Sequence, residues 1–185
     1  AALRGLQREL PVPVIVVIEP GATAAVNHHL MTGGVIGTAS TIEKGAYPRT
    51  LHQFDANMTV YSHAAQPMVS IVEHGLTGTP TAQQTVDTEL AYFDQHPVDG
   101  LILGCTHFPF LVAEIQRKMG DGVLLIDPAY ETIKQAQELL TKHGLLTDKP
   151  SGMIRLYTTG ERADLVAGAE KWLAGQFTSC DHVDL

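Results

Sequence analysis

The segment DGLILGCTHFPFL, residues 99–111, decides how this chain folds. It opens on a short aliphatic run at 101–103 and passes through Gly104 into a Cys-Thr-His triplet at 105–107. Short continuous apolar runs are typical of parallel strands that are covered on both faces. We therefore predict a buried strand, then a tight turn that carries a thiol, a hydroxyl and an imidazole, and then a helix.

The same alternation of apolar run and helical spacing recurs along the chain. Runs rich in Val, Ile and Leu lie at 14–18, 35–37, 123–126 and 154–157, and helical apolar spacing follows most of them. Repeated strand and helix units of this kind predict an α/β fold with a mainly parallel sheet.

Helix boundary signals agree with this reading. Thr79 followed by Pro80 predicts the start of a helix that runs to about residue 96. Asp127 followed by a proline opens a second helix, which Gly144 closes.

Composition limits the classes of partner. The chain has 185 residues, 44% of them hydrophobic, which is enough for one ordinary domain or two small ones. A formal net charge of -8 with only 12 Lys and Arg argues against a nucleic-acid partner and favours a small-molecule one. No apolar run approaches the roughly 20 residues that span a bilayer, and no signal peptide is readable, so we expect a soluble, cytoplasmic protein without membrane contact.

The two cysteines are far apart, and Cys180 lies in a polar stretch near the C-terminus, which makes a disulfide improbable. The chain opens without Met on AALRGLQREL, residues 1–10, which resembles the end of a helix. We expect a truncated chain.

Cys105 stands where open α/β sheets bind ligands, at the carboxyl end of a strand. Backbone N–H groups at the start of the next helix favour an anion there, and a nearby imidazole can exchange a proton with the thiol. The alternatives are an inert, buried Cys105, a Thr106 that only caps the helix, and a structural His107. A metal site is not expected, since Cys-x-His supplies too few ligands.

Four motifs, in this order along the chain, resemble those of bacterial glutamate racemases. They are VIEPGA at 17–22, GVIGTASTIEKGAYPRTL at 34–51, QPMVSIVEHG at 66–75 and LGCTHFPFL at 103–111. The resemblance covers essentially the whole chain.

This resemblance implies two pseudo-symmetric α/β domains with mainly parallel sheets and the substrate between them. Residues 19–127 would form the complete second domain. Residues 1–18 and 128–185 would belong to an incomplete first domain, whose Asp-Ser-Gly and Cys-Asn-Thr motifs would lie before Ala1. A homo-oligomer is also expected.

The resemblance further implies racemisation of L-glutamate to D-glutamate by two opposed cysteines without a cofactor, for peptidoglycan synthesis. Cys105 would be one of the two thiols, with His107 and Glu73 as acid/base or electrostatic participants. Thr106, Thr38 and Thr41 would bind the substrate, although the last two are also plausible helix caps, and Glu73 is also plausible as a solvated helix end. These 185 residues alone are expected to be inactive.

Other functions stay open. Within the same superfamily the alternatives are an aspartate or hydantoin racemase, or an arylmalonate-type decarboxylase that uses one cysteine. Aspartate racemases usually carry Glu two residues after the second cysteine, so His107 favours glutamate. A non-catalytic amino-acid-binding domain is the alternative outside enzymes.

Overall fold

The computed structural model describes residues 2–148 and 152–184 and divides the chain into two compact units. The first unit ends at Gly144 and the second begins at Leu145. Both alternate helices with parallel strands, so the prediction of an α/β fold is confirmed.

The first unit contains eight of the described helices and four of the described strands. In chain order they are α1 (Ala2–Glu9), α2 (Ile18–Asn27), β1 (Thr32–Gly37), α3 (Ala39–Lys44), α4 (Ala46–Phe54), β2 (Thr59–Ala64), α5 (Gln66–Glu73), α6 (Pro80–Leu90), β3 (Gly100–Leu103), α7 (Val112–Met119), β4 (Leu124–Ile126) and α8 (Pro128–Lys142). Two 3₁₀ turns complete it, Ala91–Asp94 after α6 and Phe108–Leu111 before α7.

The four strands form one parallel sheet in the order β2-β1-β3-β4. The chain leaves β1 towards one edge to form β2 and later leaves β3 towards the other edge to form β4. The direction of winding therefore reverses between β1 and β3, and ligands bind at such a switch point in open α/β sheets.

Helices cover both faces of this sheet. On one face, buried side chains of α5, α6 and the 3₁₀ turn before α7 pack with Ile36, Leu101 and Leu103. On the other face, side chains of α2 and α4 pack with Val35 and Ile102. Successive strand residues thus point to opposite cores, which explains why the strand sequences are apolar almost without interruption.

Side-chain caps fix the predicted helix starts. Thr79 accepts a hydrogen bond from the backbone of Ala82 at the start of α6, and Asp127 accepts one from Ala129 at the start of α8. Gly144 follows α8 with a φ of 62°, which suits a glycine at a helix end. The α6 helix itself stops earlier than predicted, at Leu90, and the 3₁₀ turn continues to Asp94.

The prediction of a strand at residues 14–18 is wrong. Residues 13–16 have no regular structure, and α2 already begins at Ile18. Pro11 and Pro13 lack the N–H that a strand ladder needs, and among the described residues no strand pairs with this run. β2 was not predicted, because Ser62 and His63 interrupt its apolar character.

The second unit contains β5 (Arg155–Thr158), α9 (Arg162–Trp172) and β6 (Ser179–His182). β5 and β6 pair in parallel, and Cys180 in β6 is buried. The expectation that Cys180 lies in a polar tail is therefore wrong, because the polar residues around it alternate with a side chain that points into this unit. The racemase domain boundaries at 1–18, 19–127 and 128–185 stay a prediction.

Candidate active site

The carboxyl ends of the four parallel strands meet at one edge of the sheet, and three of the strands are followed within two residues by a residue with a polar or reactive side chain. Thr38 comes after β1, Cys105 lies two residues after β3, and Asp127 follows β4. Thr38 and Cys105 thus flank the point where the winding reverses. This edge is the expected place for a ligand.

A chain of three side chains begins at Cys105. Its half-buried thiol Sγ lies 3.6 Å from Nδ1 of His107. Nε2 of the same imidazole lies 3.5 Å from Oε1 of Glu73. The ring therefore stands between a thiol and a carboxylate, so it can take a proton from the thiol while the carboxylate stabilises the imidazolium.

Glu73 is partly exposed, as a solvated helix end would be, and also contacts a predicted site residue. It ends α5, and 58% of its side chain is exposed, against 30% for His107. The carboxylate nevertheless contacts His107 and not bulk water alone. Glu73 thus lies beside His107 while much of its side chain faces solvent, and its participation in the chemistry stays a prediction.

A cavity of about 240 Å³ lies beside Cys105 at the strand ends. Of the predicted site residues, Thr41, Cys105 and Thr106 line it, together with Tyr47 and Asp127, which the sequence reading did not assign to the site. The cavity wall thus combines apolar side chains with residues that carry hydroxyl, thiol and carboxylate groups.

The hydroxyl groups of the three predicted threonines also make local contacts. The Thr38 hydroxyl caps α3 by accepting from the backbone N–H of Thr41 at 3.3 Å, and the two hydroxyl oxygens are 2.9 Å apart. Thr38 does not line the cavity, but its hydroxyl contacts that of Thr41, which does. The Thr106 hydroxyl is exposed and lies 3.5 Å from Nδ1 of His107.

Tyr47 forms part of the cavity wall and is only 4% exposed. Burial, together with the nearby negative charge of Asp127, raises the pKa of Tyr47 to about 12. Its hydroxyl is therefore a neutral group over the physiological range.

We expect the Tyr47→Phe variant to lose less stability in alkali than the parent chain. The pKa is raised from 10.0 to about 12 on folding, so the contribution of Tyr47 is complete below pH 10 and is lost as the pH rises towards 12. That contribution is at most about 2 to 3 kcal/mol. Urea unfolding near pH 8 and near pH 11 measures it, with the exposed Tyr130→Phe as the matched control. Equal alkaline losses in Tyr47→Phe and the parent would contradict the assignment.

Gly104 permits the close approach of β1, Tyr47 and the Cys105 turn. A Cβ at this position would lie 2.7 Å from the carbonyl oxygen of Ile36 and 3.1 Å from Cε2 of Tyr47. The carbonyl cannot move freely, because it accepts the Gly104 N–H at 2.8 Å.

Gly104→Ala should therefore lower the free energy of unfolding by about 1 to 3 kcal/mol through overpacking. Gly33→Ala is the matched control on β1, since its Cβ would stand at an ordinary 3.5 Å from Sδ of Met58. Denaturant unfolding of both variants provides the comparison. A Gly104→Ala variant as stable as Gly33→Ala would show that the turn accommodates a methyl group.

Within residues 2–148 and 152–184, no group of three or more His, Cys, Asp or Glu side chains is arranged to hold a metal ion. None of the helices in that part of the chain combines the length and the apolar character needed to cross a bilayer.

One signal in the sequence would have found more of the site. Asp127 starts a predicted helix directly after the predicted strand at 123–126, and the carboxyl ends of parallel strands share an edge. The sequence therefore places Asp127 at the same edge of the sheet as Cys105. Tyr47 offers no such signal, because it lies inside α4 and reaches the cavity only through tertiary packing.

Comparison with known proteins identifies the family. The family described as Asp/Glu/Hydantoin racemase matches residues 1–158. A glutamate racemase of Limosilactobacillus reuteri is 57% identical over all 185 residues, which cover 69% of that protein. The crystal structure of a glutamate racemase isoform from Bacillus anthracis superposes with a TM-score of 0.91 at 39% identity, covering 100% of this chain and 70% of the other. For glutamate racemase from Francisella tularensis in complex with D-glutamate, the TM-score is 0.88 at 30% identity, with 100% of this chain and 68% of the other covered.

Proposed function

Because the chain belongs to the Asp/Glu/hydantoin racemase family, we propose that it interconverts L-glutamate and D-glutamate by acid/base chemistry at Cys105, without a cofactor. The observation that carries the proposal is the contact series from Cys105 through His107 to Glu73 beside a cavity at the strand ends. The proposal concerns the full-length racemase that contains these residues.

The chemistry requires one deprotonation and one protonation, on opposite faces of one carbon. The thiolate of Cys105 takes the α-hydrogen as a proton, the electron pair stays on the α-carbon, and Cys105 becomes a thiol. An acid on the other face then delivers a different proton to that carbon, which inverts it. We propose a second cysteine for that step, supplied by the part of the racemase that these residues do not cover. In the reverse direction the two thiols exchange roles.

In this proposal His107 and Glu73 favour the thiolate form of Cys105. Transfer of the thiol proton to Nδ1 leaves a thiolate beside an imidazolium, and the carboxylate on the Nε2 side stabilises the positive ring. The pair therefore makes the reactive form of Cys105 available without a metal or an organic cofactor.

The threonines bind the substrate in this proposal. Thr41 and Thr106 line the cavity, where Thr106 binds a carboxylate or the ammonium group of glutamate and Thr41 binds the far carboxylate. Thr38 supports Thr41 through the contact between their hydroxyl groups. We propose that the product D-glutamate supplies peptidoglycan synthesis and that the enzyme acts in the cytoplasm.

Self-association is part of the proposal. Tyr130 and Ile133 on α8 are 64% and 67% exposed, and a second copy of the chain would cover such apolar side chains. Sedimentation velocity over a range of protein concentrations tests this, and a monomer at every concentration would remove it.

The test of function is the full-length protein with each enantiomer of glutamate in D2O. Loss of the α-proton signal in NMR together with a change of optical rotation supports the racemase. Exchange of the α-proton of aspartate or of a hydantoin instead would mean that the enzyme is an aspartate or a hydantoin racemase. Ligand binding without exchange would mean a binding module, and release of carbon dioxide from an arylmalonate would mean a decarboxylase.

A further inference from the structure

Glu114 is a charged residue in the core of the first unit. It lies in the first turn of α7 and is only 4% exposed. A carboxylate is favoured at a helix N-terminus, but that effect operates equally well at the surface and does not account for burial. Burying a carboxylate costs free energy unless hydrogen bonds compensate, so the contacts of this side chain show what it does.

The principal contact of the Glu114 side chain is with the loop between α5 and α6. The backbone N–H of Gly78 donates to Oε1 of Glu114 at 2.7 Å, although the two residues are 36 positions apart. This loop begins directly after Glu73. Gly78 has a φ of 78°, a conformation that few residues other than glycine adopt without strain.

Hydrogen bonds join the loop to the end of α5, so a displacement of Gly78 would also move Glu73. Backbone hydrogen bonds join Gly75 to Val72 at 3.0 Å and Leu76 to Ile71 at 2.9 Å. At its other end, the hydroxyl of Thr79 donates to the carbonyl of Leu76 at 2.6 Å. The segment from Glu73 to Thr79 is therefore a compact turn.

On the other side, Glu114 shares a continuous stretch of chain with His107. The 3₁₀ turn Phe108–Leu111 follows His107 and leads without a break into α7. His107 and Glu114 thus lie on one segment, which runs from His107 through the 3₁₀ turn into α7. Glu73 and Gly78 lie on another, the end of α5 with the loop that follows it. The contact of Glu114 with Gly78 and the contact of His107 with Glu73 join the same two elements at two points.

We propose that Glu114 is a positioning residue that holds Glu73 against His107 by anchoring the loop between α5 and α6. The proposal rests on the proposed function, because it assigns Glu114 to the support of that acid/base pair. Without the anchor, the loop and the end of α5 move away from the element that carries His107, and the 3.5 Å contact between Glu73 and His107 lengthens.

A second contact between α6 and α7 supplies the control. Arg117 on α7 donates to the amide oxygen of Gln83 on α6 at 2.7 Å. Arg117→Ala removes a polar contact between these helices but leaves the loop after Glu73 anchored. It measures what a merely structural contact at this interface is worth.

The experiment compares Glu114→Met, Glu114→Gln and Arg117→Ala in the full-length racemase. Methionine has a similar length but no oxygen, so we expect kcat to fall roughly 10- to 100-fold through misplacement, with KM changing far less. Glutamine keeps an oxygen that accepts the Gly78 N–H and should retain activity within about threefold of the parent, since only the charge assistance to the hydrogen bond is lost. Arg117→Ala should stay close to the parent.

The NMR resonances of the His107 ring report on its contact with Glu73, and a general loss of stability would not shift them in the same way. The ring resonances of His107 should shift in Glu114→Met in the same direction as in Glu73→Gln, and they should stay in place in Arg117→Ala. If Glu114→Met does not fold, Glu114→Ala replaces it, because water can then reach the Gly78 N–H.

The possible failures are distinguishable. A parent protein without racemase activity would defeat the proposed function. An active parent with a Glu114→Met variant that matches Arg117→Ala in kcat and in the His107 resonances would defeat the positioning role alone. Equal losses in Glu114→Gln and Glu114→Met would likewise overturn the hydrogen-bond argument.

Discussion

Cys105→Ala will lower the kcat of the full-length racemase by roughly 10²- to 10⁴-fold, the range in which positioned acid and base groups act. The substitution removes the group that exchanges a proton with the α-carbon and leaves His107 and Glu73 without a thiol to activate. Circular dichroism at fixed glutamate concentration measures the interconversion in both directions. Substrate affinity should change much less, because Thr41 and Thr106 of the cavity wall are retained.

Cys180→Ala is the matched control for this prediction. The side chain of Cys180 is buried in the second unit, so its truncation should reduce stability by an amount typical of a small cavity and leave kcat unchanged. Racemisation that survives Cys105→Ala would place the chemistry elsewhere. A loss of kcat in Cys180→Ala at full stability would show that the wrong cysteine has been assigned.

Sequence predicts the central part of this fold because several local signals agree there. At 101–107, a continuous apolar run, a glycine and three reactive side chains follow one another, so the strand, the turn and the chemistry can be placed together. Thr79 and Asp127 mark helix starts by the hydrogen bonds that their own side chains make, which are local by nature.

Features that depend on distant partners escape such reasoning. The run at 14–18 has the composition of a strand, but a strand exists only where another strand pairs with it. β2 has the opposite property, since its mixed sequence is made into a strand by the ladder along β1. Tyr47 and Glu114 join their sites through tertiary contacts alone, and a buried Glu contradicts the usual exposure of that residue.

The last prediction concerns a polypeptide of these 185 residues alone, which should show no sustained racemisation. Racemisation requires an acid and a base on opposite faces of one carbon, and the 185 residues contain only two cysteines. Cys105 lies at the candidate site, whereas Cys180 belongs to β6 of the second unit and its side chain is buried, which leaves its thiol little access to a substrate. A single thiol serves one face, and return of a proton to that face regenerates the starting enantiomer.

The purified 185-residue chain should therefore be incubated with each enantiomer of glutamate in D2O while α-proton exchange and optical rotation are followed together. We expect no change of rotation with either enantiomer at protein concentrations where the full-length racemase reaches equilibrium. Exchange of the α-proton in one enantiomer only, without rotation change, would reveal Cys105 as a solitary base and would support the assignment of one face to this thiol. Sustained interconversion that Cys105→Ala abolishes would instead show that one thiol, with His107 as its proton carrier, reaches both faces, and the two-thiol mechanism would then have to be given up. The Cys105→Ala variant of the same chain belongs in every assay, because it separates activity of this polypeptide from that of a contaminating racemase.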